Sequence, residues 1–324
     1  MLKYIIKRLL ITIPIIVCVA ILIYTILYLT PGDPAEMILG STATTEEIES
    51  FREYLGLDRP YIVQLGDYLY DLFIRWDLGV SWIYRTDIMY EIGNRLPRTF
   101  AISMYSILMG AACGIPLGVV AAVKQNSIVD KIVLFISSVM HCVPGYVIAM
   151  VLIIIFSLHL GWLPSYGIGS IKHYILPCAC ILITSFAGLA RSMRSSMLEI
   201  IRSDFVMAAR AQGISRWKVN YLHALPNAMI PIITQIGSQF AHALSGTLIL
   251  ETIFSIPGMG LLIQGAINKR DIPIVTGGVV FLAIWFCLVM LLVDILYAVI
   301  DPRIRAQYEE QSKGHGHGRR RRKA

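Results

Sequence analysis

From Leu9 to Thr30 the chain reads LLITIPIIVCVAILIYTILYLT, 22 residues without a charge. A helix needs about 20 apolar residues to cross the ~30 Å hydrocarbon core of a bilayer. The run meets that length and exceeds the roughly 7–15 apolar residues of a secretory signal. No small-residue cleavage site follows it; the chain turns instead at Thr30-Pro31-Gly32-Asp33-Pro34. We read it as a membrane-spanning helix.

Five more apolar runs follow, at about Phe100–Val123, Ile132–Leu160, Tyr174–Ser192, Ala228–Phe254 and Thr276–Ile300. The third is long enough to tilt or to end in a loop. Composition agrees with this pattern: 56% of the 324 residues are hydrophobic and 15% charged, against about 25% charged in soluble domains. So few charges cannot cover a soluble surface. The expected fold is an all-α membrane protein with six transmembrane helices.

The net charge of +7 does not point to nucleic acid, because Lys and Arg sit in the gaps between apolar runs. With the N-terminus placed in the cytoplasm, 19 of the 28 Lys and Arg residues fall inside and 9 outside. Positive charge marks the cytoplasmic side, so both termini are expected there and the protein in the plasma membrane. The residues divide into a first helix (1–30), an outside insertion (31–97), a five-helix core (98–302) and a basic tail (303–324). The insertion carries 12 acidic and 5 basic residues and is expected to be soluble. Within it Ile62, Leu65, Leu69, Leu72, Phe73 and Trp76 recur at helical spacing, an amphipathic helix lying on the membrane or on the protein. The tail, with His315, His317 and Arg319 to Lys323, is expected to be disordered and able to touch anionic lipid.

Catalytic signatures are missing. The sequence contains no G-x-x-x-x-G-K-[ST], H-E-x-x-H, G-x-S-x-G or G-x-G-x-x-G, so it has no P-loop of its own. Cys18, Cys113, Cys142, Cys178, Cys180 and Cys287 lie in apolar stretches and read as buried small hydrophobes. Ionisable groups inside spans mark pathways or satisfied structural sites; Glu251, His141 and His242 are the candidates for a solute pathway. His141 and His242 stand on different spans, so no metal site is assigned. Gly110, Gly114 and Gly118 give the second span one bare face for close helix packing.

The most informative loop lies at 193–227, between the fourth and fifth spans. Residues 199–228 read EIIRSDFVMAARAQGISRWKVNYLHALPNA. They parse into two short helices: Ser203 or Asp204 caps the first, Gly213 stops it, and Ser215 caps the second, which ends before Leu225-Pro226. A helix–Gly–helix with small side chains in a basic cytoplasmic loop can enter a groove on another protein. The alternative is a helical pair folded on its own bundle.

This loop resembles the EAA loop of the membrane subunits of ATP-binding cassette importers: E-A-A, three residues, Gly, nine residues, Ile, one residue, Leu-Pro. Ala208-Ala209, Gly213 and Leu225-Pro226 match at that spacing, while Met207 replaces the Glu and His223 the Ile. Pro31-Gly32-Asp33-Pro34, Asp77-Leu78-Gly79-Val80-Ser81, Arg194 to Glu199, Glu251 to Gly260, Arg270-Asp271-Ile272-Pro273 and Asp301-Pro302-Arg303 are similar to segments of the dipeptide/oligopeptide/nickel permeases, "B" type. The resemblance implies a type I importer fold with an extracytoplasmic insertion after helix 1. It implies a subunit that is no enzyme alone and holds no cofactor, together with a second permease subunit, two ATPase subunits that bind ATP and Mg, and an extracytoplasmic solute-binding protein. Ala208, Ala209, Arg210, Gly213, Leu225 and Pro226 become the expected contact with the ATPase. Di- or oligopeptide is the first expected solute, with nickel or a nickel chelate as the alternative. A membrane scaffold or receptor without transport is the reading from a different class.

Overall fold

The computed structural model describes residues 2–40 and 42–300. Ser41 and the tail, with His315, His317 and the final arginines, lie outside the described residues. Among those described the chain is helical, with no strand beyond one isolated bridge between Val80 and Asp87.

Helix α1 (Leu2–Leu29) is followed by three short helices, α2 (Pro34–Leu39), α3 (Thr45–Tyr54) and α4 (Tyr61–Tyr70). A π-helical turn, Asp71–Arg75, extends α4. The long elements are α5 (Ile88–Val123), α8 (Lys172–Ile201), α11 (Leu225–Gly246) and α14 (Ile272–Ile300). Between them lie α6 (Ile128–Cys142), α7 (Gly145–Leu152), α9 (Asp204–Ala211), α10 (Arg216–Lys218), α12 (Leu248–Ile253) and α13 (Met259–Lys269).

Capping chemistry sets several boundaries. Thr44 and Glu47 form a reciprocal capping box on α3, and bonds from the Thr44 N–H and hydroxyl hold the Glu47 carboxyl below its usual range. Asp87 caps α5, its carboxylate accepting from Met89 N at 2.7 Å and Tyr90 N at 3.2 Å. The helix therefore starts at Ile88, and Pro97, read above as the end of the insertion, lies inside it.

Among the described residues four helices are long and apolar enough to cross a membrane: Arg8–Leu29, Ile88–Val123, Lys172–Ile201 and Ile272–Leu296. The third expected span is not one rod. α6 and the 145–159 segment meet at 99°, because Pro144 forces Val143 into extended backbone (φ −84°, ψ 122°). Counted as one, this bent pair makes a fifth span. The remaining candidate divides at Thr247 into α11 and α12; α11 has 22 residues but carries Thr234, Gln235, Ser238, Gln239 and His242 and falls short of the others in apolarity.

The pair α5–α8 forms the centre of the bundle. Gly110, Gly114 and Gly118 face α8, where a Cβ on Gly110 would lie 2.8 Å from Ser185 Oγ and one on Gly114 2.9 Å from the Phe186 carbonyl. On Gly118 it would lie 2.5 Å from the Ala190 carbonyl. Only hydrogen fits at such a crossing. Gly118→Val should therefore cost roughly 3 kcal/mol by forcing the helices apart. Gly93→Ala, in the same helix but with nothing within 4 Å of the added carbon, should be neutral or slightly stabilising. Thermal unfolding of the two purified variants in detergent checks the pair; equal melting temperatures would mean the crossing is looser than drawn.

α14 packs beside α1 and α11, with Arg8 bridging to Asp294 at 3.1 Å near one end of the bundle. Cys18, Cys113 and Cys142 are exposed and only Cys180 is fully buried. The expectation of six buried cysteines is corrected: on helices surrounded by lipid, an apolar side chain has no reason to turn inward.

Candidate functional site

The 193–227 loop folds against the end of the bundle where α8 finishes. Val206, Val219 and Ala224 are fully buried in one cluster with Leu189, Met193 and Met197 of α8 and Ala228 and Ile232 of α11. α9 turns Val206 and half-buried Ala209 toward this cluster, while Phe205, Met207 and Ala208 face outward. Ala208 and Ala209 thus point different ways. One methyl group belongs to the protein's own core and the other to its surface.

Gly213 ends α9 in the left-handed region, at φ 80°. Its N–H donates to Arg210 O at 3.0 Å and the Ile214 N–H to Ala209 O at 3.4 Å. These two bonds are those of a Schellman stop, and Ile214 packs on the same cluster as Ala209, which is its usual hydrophobic companion. A Cβ on Gly213 would meet nothing within 4 Å, so the glycine is needed for its backbone and not for space. Ser203 and Ser215 stand at the cap positions, but neither side chain caps; the Ser203 hydroxyl donates back to Ile200 O at 2.6 Å.

The second helix does not end before Leu225-Pro226, as its sequence suggests. It passes through a π-helical turn, Val219–Ala224, directly into α11. Pro226 has no N–H to give and its ring crowds the carbonyl four residues back. The register widens ahead of it, and Leu225 N donates to Asn220 O, five residues back. Outside this turn stand Trp217 (62% exposed) and Leu222 (58%); the Trp217 ring stacks on Tyr221 at 5.3 Å. With Phe205 and Met207 they form an apolar surface edged by the exposed Arg210, Arg216 and Lys218. Leu225 is half-buried beneath it and Pro226 is exposed.

Two contacts brace this platform. Asp130, 1% exposed at the start of α6, receives a bidentate bond from Arg194 of α8, at 2.5 Å from Nε and 2.8 Å from Nη2. Arg202, just past α8, reaches Gln125 in the α5–α6 turn at 3.4 Å. Movement of the loop is thereby tied to α8 and to the turn between α5 and α6.

At the other end of the bundle the separate sequence motifs meet. Glu251, 1% exposed, lies under Pro257-Gly258-Met259-Gly260 at the start of α13. Its Oε1 accepts from the Thr99 hydroxyl at 2.5 Å and the Thr247 hydroxyl at 3.1 Å, and its Oε2 from Leu261 N at 3.0 Å. Thr99 Oγ1 in turn accepts from Met259 N at 2.9 Å. Gly258 occupies the cap position and has no side chain, so Glu251 and Thr99 satisfy the first N–H groups of α13, and the carboxylate faces the positive helix end. A Cβ on Gly258 would overlap the Glu251 carboxylate. Both oxygens of Glu251, named above as a pathway candidate, are taken by donors of this chain, a backbone amide among them.

Asp271 works the same way. Fully buried, it accepts from the Ser81 hydroxyl at 2.5 Å, Trp82 N at 3.2 Å and Ile83 N at 3.4 Å. Neighbouring Arg270 donates to Pro31 O, and Arg52 pairs with Asp33 at 2.5 Å. Hence Pro31–Pro34, Asp77–Ser81 and Arg270–Pro273 are three sides of one junction. Sequence reasoning assigned no role to Asp271, Ser81 or the Asp130–Arg194 pair; a carboxylate beside a span end was the available signal, but its partners lie up to 190 positions away in sequence.

His141 and His242 are both exposed and stand on α6 and α11; His242 meets the Phe286 ring edge-on at 5.7 Å. Among the described residues no three His, Cys, Asp or Glu side chains gather as a metal cluster.

Residues 114–306 match the model of the binding-protein-dependent transport system inner membrane component, and residues 1–103 match its N-terminal companion. The chain is 38% identical to the dipeptide transport system permease protein DppB of Alkalihalophilus pseudofirmus, covering 94% of this chain and 100% of that one. It is 37% identical to the glutathione transport system permease protein GsiC of Escherichia coli, covering 94% and 99%. In fold it is similar to a chain in a structure of inward-facing conformations of a methionine ABC transporter, with a TM-score of 0.53 at 18% identity over 66% of this chain and 97% of that one.

Proposed function

The chain belongs to the family of binding-protein-dependent transport system inner membrane components, and on that premise we propose that it forms part of the membrane pathway of an ATP-driven importer of short peptides. The loop around Gly213 carries the proposal. It presents an apolar, basic-edged surface on the platform where α8 ends, and its inner side is sewn into the core by Val206, Ala209 and Val219. A nucleotide-driven partner that pushes on Phe205, Ala208, Arg210 and Trp217 moves α8 and α11 together. ATP and Mg belong to that ATPase partner. A second, related permease completes the pathway, and an extracytoplasmic binding protein delivers the solute.

The solute route follows α11 in this reading. A 22-residue helix packed against α5, α8 and α14 that bears Gln235, Gln239 and His242 is poorly suited to lipid. Ser185 donates to Gln239 at 2.6 Å, and amide side chains with spare donors and acceptors suit the neutral polar backbone of a peptide. Peptide is favoured over nickel by the names of the relatives and by this lining. The decisive experiment is uptake into vesicles holding the subunit with its cognate permease, ATPases and binding protein. Labelled dipeptide should accumulate in an ATP-dependent way and nickel should not; ATP-dependent nickel uptake without peptide uptake overturns the assignment.

Orientation is testable in the same system. With both termini cytoplasmic, a cysteine at Gln212 should react with an impermeant maleimide only after permeabilisation, and one at Glu49 should react in intact cells. Labelling of Gln212 from outside would invert the topology and remove the loop from the ATPase.

A further inference from the structure

We propose that the 61–76 arm of the insertion is not an aqueous element but dips into the bilayer leaflet at the Leu29 end of the spans, with lipid chains as its partner. α4 runs down the side of α1. Tyr61 begins beside Thr25, with hydroxyls 2.6 Å apart, and Tyr28, with rings 4.9 Å apart. Tyr68 stacks on Tyr24 at 5.0 Å. Leu72 then joins Ile16 and Ala20 of α1 and Val280 of α14 in one buried cluster, with Phe73 and Ile284 at its edge.

The depth follows from helix rise. Ala20 lies nine residues before Leu29 and Val280 eight after Ile272. At 1.5 Å per residue these place Leu72 roughly 12–14 Å below the span ends. The leaflet is about 15 Å of hydrocarbon, so the arm descends through most of it.

The outward face of the arm agrees. Ile62, Gly66, Tyr70 and Ile74 repeat every fourth residue, and Ile62, Tyr70 and Ile74 are 72%, 53% and 64% exposed, with Trp76 beyond them at 81%. This stripe continues the exposed surface of α1, where Leu22, Ile26 and Leu29 also face outward. In water it would be an unshielded apolar patch; beside α1 it extends a surface already made for lipid.

Most charges of the arm are drawn away from this stripe; Arg75 is the exception, its guanidinium lying over the Tyr70 ring at 5.2 Å. Arg59 pairs with Asp67 and Arg75 with Asp71, each at 3.1 Å. Arg59, Asp67, Asp71 and Asp77 line a cavity of about 300 Å³ shared with Tyr24 and Tyr68. Arg59, Asp67 and Asp71 thus face a polar cavity and their ion-pair partners, while Ile62 and Ile74 face away. The segment is a wedge between lipid and that cavity, independent of which solute is carried.

Bromine-labelled phosphatidylcholine tests this with the complete transporter in nanodiscs. The difference in tryptophan fluorescence between wild type and Trp76→Phe isolates Trp76. Because Trp76 is exposed, the substitution leaves the fold intact. That difference signal should be quenched by at least half by bromines in the acyl chains and little by aqueous acrylamide. Ile74→Trp in the Trp76→Phe background should restore a lipid-quenched signal. Quenching by acrylamide alone would return the arm to water, and quenching by neither reagent would place a protein partner on it; either result overturns the proposal.

Discussion

Glu251→Ala should be the most damaging single change at the α13 end of the bundle. It leaves Leu261 N–H and the hydroxyls of Thr99 and Thr247 buried without their acceptor. Each orphaned group costs about 1–3 kcal/mol, and the start of α13 loses the charge that opposes its dipole. A total near 4 kcal/mol corresponds to a fall in melting temperature of roughly 10 °C. Gly258→Val reaches the same outcome from the other side, since its Cβ overlaps the carboxylate. Glu251→Gln keeps an acceptor for Leu261 and should lose only about 1–2 kcal/mol. Thermal unfolding and recovery of the assembled complex measure all three. Uptake should fall in proportion to recovery, because both carboxylate oxygens are engaged within the chain. Full stability of Glu251→Ala, with uptake alone abolished, would restore Glu251 to the pathway.

Gly213→Val should separate folding from coupling. The residue sits at φ 80° with open space around it. A β-branched side chain there costs about 2 kcal/mol of backbone strain without any clash. The strain is relieved by unwinding the Schellman stop, which tilts α9 relative to α10. We expect insertion and bundle stability close to wild type and at least a tenfold loss of solute-stimulated ATP hydrolysis. Gly213→Asn, which tolerates the left-handed region, should retain most of the stimulation. Ala208→Asp adds a charge to the exposed contact surface and should weaken co-purification with the ATPase. Ala209→Asp is a poor probe by comparison, because it buries a carboxylate against the cluster around Val206. Wild-type stimulation in both Gly213→Val and Ala208→Asp would remove this loop from the transmission path.

Part of this loop was readable from residues alone. Gly213 interrupts a run of helix formers, and a glycine in such a place predicts a positive φ. The three-residue spacing from Ala209 to Gly213 marks the stop. What could not be read is the direction each alanine faces, since that depends on the angle at which α9 leaves α8. The π-helical turn was also hidden. Pro226 announces a disturbed register, but whether the chain breaks there or widens and continues depends on Val219 and Ala224 finding room in the core.

The sequence by itself determined the solvent of this protein. Runs such as Leu9–Thr30 carry no charge for 22 residues, and only lipid accepts such a surface. Local backbone chemistry also lay within it: the turn at Gly213, the cap at Asp87 and the break at Pro144 depend on residues within a few positions of one another. The partners of Glu251, Asp271 and Asp130 were decided by tertiary structure alone. A buried carboxylate must find donors, but its sequence does not say whether they belong to a pathway, a partner or a distant turn. Thr99 and Ser81 supply them across 152 and 190 positions, because α5 and the loop before it pack against α13 and the start of α14. The arm from Tyr61 to Trp76 shows the same limit. Its apolar spacing is visible in the residues, yet its depth beside α1 follows only from the packing of Leu72 against Ala20 and Val280.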